Sequence, residues 1–258
     1  MICIDPDVVV ISLRRTPERL ARFHAVNETG GIRWIEGVDG IDLWSTVQTS
    51  RALEASAREG WSRGAIGAAL SHLLCWRQCL NSGRPMLILE DDAVLSRNWR
   101  SALADSLHTL PDVWDLLLLG WNYNSVLRRQ DGDSVESISL FEPAFPTLTQ
   151  IRSIIDTTHQ RRWHRLYNGF GLPGYLINPR SAKLLLHDML PLRTERIHVG
   201  RGIPTVEATT LDGLLNLAYH EMHAYVIHPP LAIATNDQAT SLTQRTSKQI
   251  NYGTGYSL

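Results

Sequence analysis

Short apolar runs alternate with amphipathic stretches along most of this chain, and the alternation predicts successive strands and helices. We predict strands near residues 8–13, 32–38, 87–89, 114–119, 174–178 and 224–227. Helical spacing of apolar residues or a helix-starting sequence predicts helices near 17–27, 53–59, 65–80, 99–107, 180–188 and 210–220. Strands that alternate with helices are typical of an α/β fold, in which helices flank an open mixed sheet.

The pattern is lost between residues 121 and 165, where polar residues and prolines interrupt the apolar runs. We expect loops with a hairpin here, and we interpret this region as an irregular insertion, because such long loops in a compact domain are usually functional. Residues 1–235 are expected to form one domain. A polar tail at residues 236–258 follows it, and we expect the tail to order only with a ligand.

Charge and composition are those of an ordinary globular protein. The 258 residues carry a net charge of -1, and 20% of them are charged, which gives no sign of nucleic-acid binding. No apolar run approaches the roughly 20 residues that a membrane-spanning helix needs, and the first residues lack the basic start of a signal peptide. Three cysteines without a C-x-x-C pair predict free thiols, so we expect a reducing, cytoplasmic location.

Three consecutive carboxylates, Glu90-Asp91-Asp92, follow the apolar run at residues 87–89. Because such side chains repel one another, a fold that holds them together usually neutralises them with a cation. Alternation along a strand would place Glu90 and Asp92 on one side and Asp91 on the other, and their oxygens suit Mg²⁺ or Mn²⁺. Taken alone, the triplet is more typical of a solvated turn or a helix N-cap.

Several further segments accompany the triplet in a fixed order. They are Ile11-Ser12-Leu13-Arg14-Arg15-Thr16-Pro17-Glu18-Arg19, Glu36-Gly37-Val38-Asp39-Gly40, Gly64-Ala65-Ile66-Gly67-Ala68-Ala69-Leu70-Ser71-His72 with Trp76, Gly174-Tyr175-Leu176-Ile177-Asn178-Pro179, and Thr210-Leu211-Asp212. With them the chain resembles glycosyltransferase family 25, the lipopolysaccharide-type β-galactosyltransferases and collagen galactosyltransferases. The resemblance implies a GT-A-like (Rossmann-like) fold, with residues 121–165 on the acceptor side.

The resemblance also implies a reaction: metal-dependent, inverting transfer of a hexose, with galactose favoured, from a UDP-sugar to a hydroxyl of a glycan or glycolipid acceptor. Such transfer would serve cell-surface polysaccharide or lipooligosaccharide synthesis. Mn²⁺ or Mg²⁺ would stabilise the leaving diphosphate, with Asp92 as its first ligand and Glu90 and His228 as further candidates. The residues expected to bind the nucleotide-sugar are Ser12, Leu13, Arg14, Arg19, Asp39, Ser71, His72, Glu90 and Asp91.

An inverting transfer needs a general base that takes the proton of the acceptor hydroxyl. Asp212 is the first candidate and Glu207 the second. An acidic residue in the first turn of a helix also complements the helix dipole, which leaves a structural alternative for Asp212. Helix capping is the corresponding alternative for Asp91, and we interpret Arg15 and Arg22 as a solvated helix face.

The chain departs from the family pattern at three positions: Ala65 stands where the family has Glu, Ala68 where it has Cys, and Ser12 where it has Asn. The loss of the Glu puts a supporting hydrogen bond in doubt. It also leaves open a catalytically silent homologue that binds a nucleotide-sugar or a glycan. A second alternative is a metal-dependent hydrolase of nucleotide-sugars, which would use the same carboxylates without an acceptor.

One dense basic and aromatic cluster occurs, Arg161-Arg162-Trp163-His164-Arg165. It could recognise an acidic acceptor, or its arginines could hold the protein at anionic lipid head groups on the inner face of a membrane. Trp163, with Trp121 and Tyr123, could instead stack on the apolar faces of sugars. A solvated loop is the structural alternative that we favour slightly.

Overall fold

A nine-stranded mixed sheet forms the centre of the fold in the computed structural model, which describes residues 5–235. The sheet order is β2-β1-β3-β9-β5-β12-β8-β6-β7, and two further pairs, β10-β11 and β4-β13, lie outside it. In chain order the strands are β1 (Asp7–Ser12), β2 (Arg33–Glu36), β3 (Met86–Glu90), β4 (Ala93–Leu95), β5 (Leu116–Leu118), β6 (Leu127–Asp131), β7 (Val135–Ser139), β8 (Arg162–Gly169), β9 (Gly174–Ile177), β10 (Glu195–Ile197), β11 (Val206–Ala208), β12 (Ala224–His228) and β13 (Ala232–Ala234).

The helices of the described residues pack around this sheet. They are α1 (Pro17–Val26), α2 (Trp44–Val47), α3 (Ala55–Gly60), α4 (Arg63–Ser82), α5 (Trp99–Leu107), α6 (Leu148–Ile155), α7 (Pro179–Asp188) and α8 (Leu211–Leu215). Local sequence fixes the ends of α4: the Ser62 hydroxyl accepts from the backbone N–H of Ala65, and Gly83 ends the helix in the left-handed conformation that glycine adopts without strain. Pro17 begins α1, where its missing N–H costs no hydrogen bond.

Parallel pairing brings the ends of two strands to one edge of the sheet. Strand β1 pairs in parallel with both β2 and β3, and Ile11 lies opposite Glu90 in this register. Strand β9 runs antiparallel between β3 and β5. The carboxyl ends of β1 and β3 are therefore adjacent, which is where an open α/β sheet places a ligand.

The sheet has a hydrophobic core on each face. Alternate residues of β1 and β3 belong to different cores: Val9 and Ile88 pack with α4 residues, whereas Val10 and Leu89 pack with α1 and α5 residues. A strand covered on both faces must be apolar throughout. This is why the run before Glu90 shows no alternation of polar and apolar residues.

The sequence predictions of the α/β class and of the main strands and helices are confirmed, but the short elements α2, β4, β10, β11 and β13 were not predicted, and two regions differ in detail. Residues 121–165 contain the expected hairpin, β6-β7, but also helix α6 and the start of β8, a strand of the main sheet. Helix α6 was missed because its 8 residues make too few turns for a helical period to be recognised in the sequence. A capping box formed by Thr147 and Gln150 begins this helix. The helix expected at 210–220 ends at Leu215, where Asn216 hydrogen-bonds to the carbonyls of Gly169 and Asp212.

Some sequence predictions concern residues outside those described, namely the polar tail at 236–258 and Cys3. Cys75 and Cys79 are described, and both are free and buried in α4. In the described range of 5–235, no helix has the length and apolar character to cross a bilayer.

Candidate active site

A cavity of about 310 Å³ opens at the carboxyl ends of β1 and β3. Its walls come from the turn after β1, the residues after β2, the first half of α4, the acidic triplet and the start of α8. Most of the residues singled out from the sequence line it: Ser12, Leu13, Arg19, Asp39, Ser71, His72, Glu90, Asp91, Asp92 and Asp212. The fold therefore brings together positions that lie 200 residues apart, such as Ser12 and Asp212.

Asp91 is held by partners from β1 and α1. The Ser12 hydroxyl donates to Asp91 Oδ2 over 2.6 Å, and the Arg19 Nε donates to Asp91 Oδ1 over 2.9 Å. Arg19 also lies 3.7 Å from Asp92 Oδ2. Both oxygens of Asp91 thus have donors from the protein, and its role is to fix Arg19 beside the other carboxylates.

Glu90 ends a chain of buried hydrogen bonds. The Trp76 indole N–H donates to the Tyr175 hydroxyl over 2.8 Å, that hydroxyl lies 2.9 Å from His72 Nδ1, and His72 Nε2 lies 3.2 Å from Glu90 Oε1. Burial lowers the pKa of His72 to about 4, so its ring is neutral near pH 7. A Tyr175 hydroxyl that donates to Nδ1 leaves the ring proton on Nε2, where it is donated to Glu90.

Acidic side chains outnumber basic ones along the cavity wall. Burial and the nearby Asp212 raise the pKa of Glu90 to about 8, and burial and Glu90 raise the pKa of Asp92 to about 7. Asp92 Oδ1 is buried and has no hydrogen-bond partner among the described residues. Among the described residues, Arg19 pairs with Asp91 and lies 3.7 Å from Asp92, so fewer positive than acidic groups meet at the triplet and the site favours a further cation.

The donor set fits a hard divalent cation that shares its coordination with a ligand. Within residues 5–235, no three His, Cys, Asp or Glu side chains form a complete metal-binding group. Mn²⁺ and Mg²⁺ in phosphate-binding sites typically take one or two carboxylates and complete their shell with phosphate oxygens and water. Asp92, with its unpartnered Oδ1, and Glu90 are the side chains that would hold such an ion.

Another part of the cavity wall is formed by the loop after β2 and by α4. The Ser71 hydroxyl accepts from the backbone N–H of Val38 over 2.8 Å. A Cβ atom added at Gly67 would lie 2.5 Å from the Val38 carbonyl oxygen and 2.6 Å from the Gly40 nitrogen. The helix and the loop therefore meet backbone to backbone, which places Asp39 at the cavity wall.

Asp212 reaches the cavity from the first turn of α8. The Thr210 hydroxyl caps this helix by accepting from the backbone N–H of Gly213. Asp212 Oδ2 accepts from the backbone N–H of Gly171 over 2.7 Å, which leaves Oδ1 for a ligand. The sequence left open that Asp212 merely complements the dipole of its helix. The structure adds the hydrogen bond from Gly171, which orients the carboxylate within the cavity.

Three residues expected at the site do not line the cavity. Arg14 is 75% exposed and pairs with Glu36 outside it. Glu207 is exposed on the hairpin β10-β11. His228 lies on β12 beside the Trp121 ring, and burial, together with Arg129 and His164, lowers its pKa to about 4.

The basic and aromatic cluster is largely used within the fold. Arg161 donates to the carbonyl of Ile155, Arg165 to that of Ala224, and the Trp163 indole to that of Ser106. Arg162 remains exposed on β8. The cluster is therefore a strand of the sheet and not the solvated loop that we favoured.

Neither Trp121 nor Tyr123 lines the cavity. Both are buried, and their rings stack on each other with centroids 5.8 Å apart and planes 8° apart. The hypothesis that these two rings stack on sugars is thus not supported by their placement.

Sequence reasoning missed several cavity residues: Arg15, Asn122, Asn124, Phe145, Gly171 and Leu172. Arg15, interpreted as solvated, pairs with Asp39 at the cavity wall. The alternation Trp121-Asn122-Tyr123-Asn124 just after a buried strand was a usable signal for the two asparagines, because it separates two aromatic from two polar side chains.

Comparison with known proteins shows which family the chain resembles. A "putative glycosyltransferase" of Acanthamoeba polyphaga mimivirus is 25% identical to the chain over 185 residues, which are 68% of this chain and 51% of the viral protein. The chain thus spans about half the length of that relative. The profile of glycosyltransferase family 25 (LPS biosynthesis protein) matches residues 5–198, which include the acidic triplet and the ends of β1 and β3. The chain belongs to glycosyltransferase family 25.

Proposed function

We propose that the protein is a metal-dependent, inverting glycosyltransferase that moves a hexose, with galactose favoured, from a UDP-sugar to a hydroxyl of a glycan or glycolipid. The observation that carries the proposal is the convergence of Glu90, Asp92 and Asp212 on one cavity at the ends of β1 and β3. Family membership supports the transfer of a sugar, and the association of the family with LPS biosynthesis supports a role in cell-surface polysaccharide or lipooligosaccharide synthesis.

The excess of carboxylates explains why the reaction would need a cation. When bound, Mn²⁺ or Mg²⁺ supplies charge that stabilises the leaving diphosphate as the glycosidic bond breaks. Asp92 and Glu90 would hold the ion, and His72 orients Glu90 through the hydrogen-bond chain to Tyr175. Arg19, fixed by Asp91, adds a positive charge beside Asp92.

Asp212 is the proposed general base. An inverting transfer requires the acceptor hydroxyl to attack the sugar from the side opposite the leaving group, and a base there takes the hydroxyl proton. The Gly171 N–H holds one oxygen of Asp212 and leaves the other for that proton. Glu207, exposed on its hairpin, lies outside the cavity and is not proposed for this step.

A glycolipid acceptor would bring the protein to a membrane surface, and we propose the cytoplasmic face, where UDP-sugars are made available. Arg162 is the exposed arginine of the β8 cluster, since Arg161 and Arg165 bond to backbone carbonyls. An Arg162→Glu variant should bind vesicles of anionic phospholipid less than the unsubstituted protein does. Equal binding of both proteins would remove this part of the proposal.

The proposed reaction is tested with UDP-galactose, Mn²⁺ and truncated lipooligosaccharide as acceptor. We expect galactose in the glycolipid in β-linkage and UDP release that depends on the acceptor. Release of free galactose at full rate without acceptor would indicate a hydrolase instead. Binding of UDP without turnover of any UDP-hexose would indicate a silent homologue, for which Ala65 at the cavity wall is the sequence sign.

A further inference from the structure

The loop after β5 presents two carboxamides to the cavity, beside a buried cluster of aromatic side chains. Trp121 and Tyr123 are buried and stacked, and Phe141 packs against both, with ring centroids 5.2 Å and 4.7 Å away. Asn122 and Asn124 line the cavity instead. They lie in a turn that the hydrogen bond from the Ser125 N–H to the Asn122 carbonyl closes. The backbone of Asn122 is fixed as well: its N–H donates to the Phe170 carbonyl over 2.8 Å.

Gly171 connects Asn122 to the proposed base. A Cβ atom added at Gly171 would lie 2.3 Å from both Cγ and Oδ1 of Asn122, so the carboxamide lies directly against this glycine. The Gly171 N–H at the same time holds Asp212. Asn122 and Asp212 therefore flank one point of the cavity wall. Within residues 5–235, no group hydrogen-bonds to the Asn122 carboxamide.

We infer that Asn122 binds a hydroxyl of the transferred hexose and helps to select a neutral sugar. The inference rests on the proposed function, because it takes Asp92 as the diphosphate end and Asp212 as the base. The hexose is bonded directly to the diphosphate and must lie between these two residues. A carboxamide there can donate one hydrogen bond and accept another, as a sugar hydroxyl requires.

The charges around Asn122 favour a neutral hexose over a uronic acid. Glu90, Asp92 and Asp212 line the same cavity, and a sugar carboxylate beside them would add a further negative charge. Asn122 recognises a hydroxyl without adding charge of its own. The preference for a neutral sugar thus comes from one uncharged polar group placed among carboxylates.

The test compares the affinities of UDP, UDP-galactose, UDP-glucose and UDP-glucuronate, each with Mn²⁺, by titration calorimetry. The variants are Asn122→Ala and Asn122→Asp. Gln48→Ala is the matched control, because it removes an exposed carboxamide from the end of α2, outside the cavity. We expect the unsubstituted protein to bind the better neutral UDP-hexose more tightly than UDP, and UDP-glucuronate no more tightly than UDP.

Asn122→Ala should weaken binding of the UDP-hexose about tenfold and leave the affinity for UDP within about twofold, since one hydrogen bond is lost. Asn122→Asp should weaken it at least as much, because it adds a charge next to Asp212. Gln48→Ala should match the unsubstituted protein. If UDP-hexose binds Asn122→Ala as tightly as it binds the unsubstituted protein, the inference is wrong while the proposed function stands. If the unsubstituted protein binds neither UDP nor any UDP-hexose, the proposed function is wrong, and the inference that rests on it is wrong as well.

Discussion

The Ser12 hydroxyl donates to Asp91 Oδ2 over 2.6 Å, and this bond joins the end of β1 to the end of β3. Arg19 completes the shell of Asp91 from α1. The middle carboxylate of the triplet is therefore saturated by the protein, whereas Asp92 Oδ1 has no partner among residues 5–235. Asp91 therefore holds the Arg19 side chain in place, whereas Glu90 and Asp92 are available to bind a ligand.

Replacement of Arg19 by Leu should destabilise the protein by about 3–5 kcal/mol, because it leaves Asp91 buried without its ion-pair partner. The matched control is Arg14→Leu, which removes an arginine that is 75% exposed and pairs with Glu36. That surface pair should contribute less than about 1 kcal/mol. Urea unfolding of both variants measures the difference, and equal losses of stability would contradict the role given to Arg19.

Replacement of Gly67 by Ala should cost about 1–3 kcal/mol and weaken nucleotide binding, because the new methyl group would lie 2.5 Å from the Val38 carbonyl oxygen. Relief of that clash would push α4 away from the loop that carries Asp39. Gly30→Ala is the control, since a Cβ atom at Gly30 meets no atom within 4 Å. The prediction is checked by thermal unfolding and by UDP titration of both variants. Unchanged UDP affinity in Gly67→Ala would show that this contact does not shape the cavity.

Without divalent cations, stability should fall as the pH rises from about 6.5 to about 8.5. The pKa of Asp92 is raised to about 7 and that of Glu90 to about 8, so the unfolded chain has already lost protons that the folded protein still holds. Such groups stabilise the fold fully below their unfolded pKa values and lose that contribution as the pH passes their folded ones. His72, with its pKa lowered to about 4, acts in the opposite sense below this range.

The measurement is the melting temperature in a chelating buffer across that pH range. A Glu90→Gln/Asp92→Asn double variant should show a flatter profile, and Mn²⁺ should stabilise the unsubstituted protein most at the alkaline end, where the carboxylates are ionised. If the melting temperature of the metal-free protein instead rises between these pH values, the pKa values of Glu90 and Asp92 are not raised in the folded protein.

Replacement of Asp212 by Asn should lower turnover by about 10²–10⁴-fold, because the base is lost. Affinity for UDP with Mn²⁺ should stay within about twofold, since the carboxamide oxygen can still accept from Gly171 and the diphosphate end is untouched. The two effects are separated by galactose transfer to truncated lipooligosaccharide and by UDP titration. A full transfer rate in the variant would assign the base to another group.

Much of the site could be predicted because it lies at strand ends. The apolar run before Glu90 and the β-branched run before Ser12 identified two buried strands, and parallel pairing placed their ends side by side. The direction of side chains in a turn was harder to predict from the sequence. Arg14 and Arg15 both lie in the turn after β1, where side chains no longer alternate, and only Arg15 reaches the cavity.

Long-range contacts were beyond the sequence pattern. Gly171 matters because it touches both Asn122 and Asp212, a relationship between three distant segments that no local spacing encodes. His228 could be placed on a strand, but its packing beside Trp121 could not be predicted. The polar strand β8 was missed because its arginines read as exposed charge, whereas Arg165 in fact donates to the carbonyl of Ala224.

The most direct test of a cation-dependent nucleotide site is titration of UDP into the protein with Mn²⁺ and then with a chelator, repeated for Asp92→Asn. We expect UDP to bind the unsubstituted protein only with Mn²⁺, and to raise its stability by about 2.7 kcal/mol at a hundredfold excess over the dissociation constant. Asp92→Asn should keep the fold and lose this binding. Binding of UDP that is equally tight in the chelator, or unchanged in Asp92→Asn, would contradict the assignment of the carboxylates as a metal and diphosphate site.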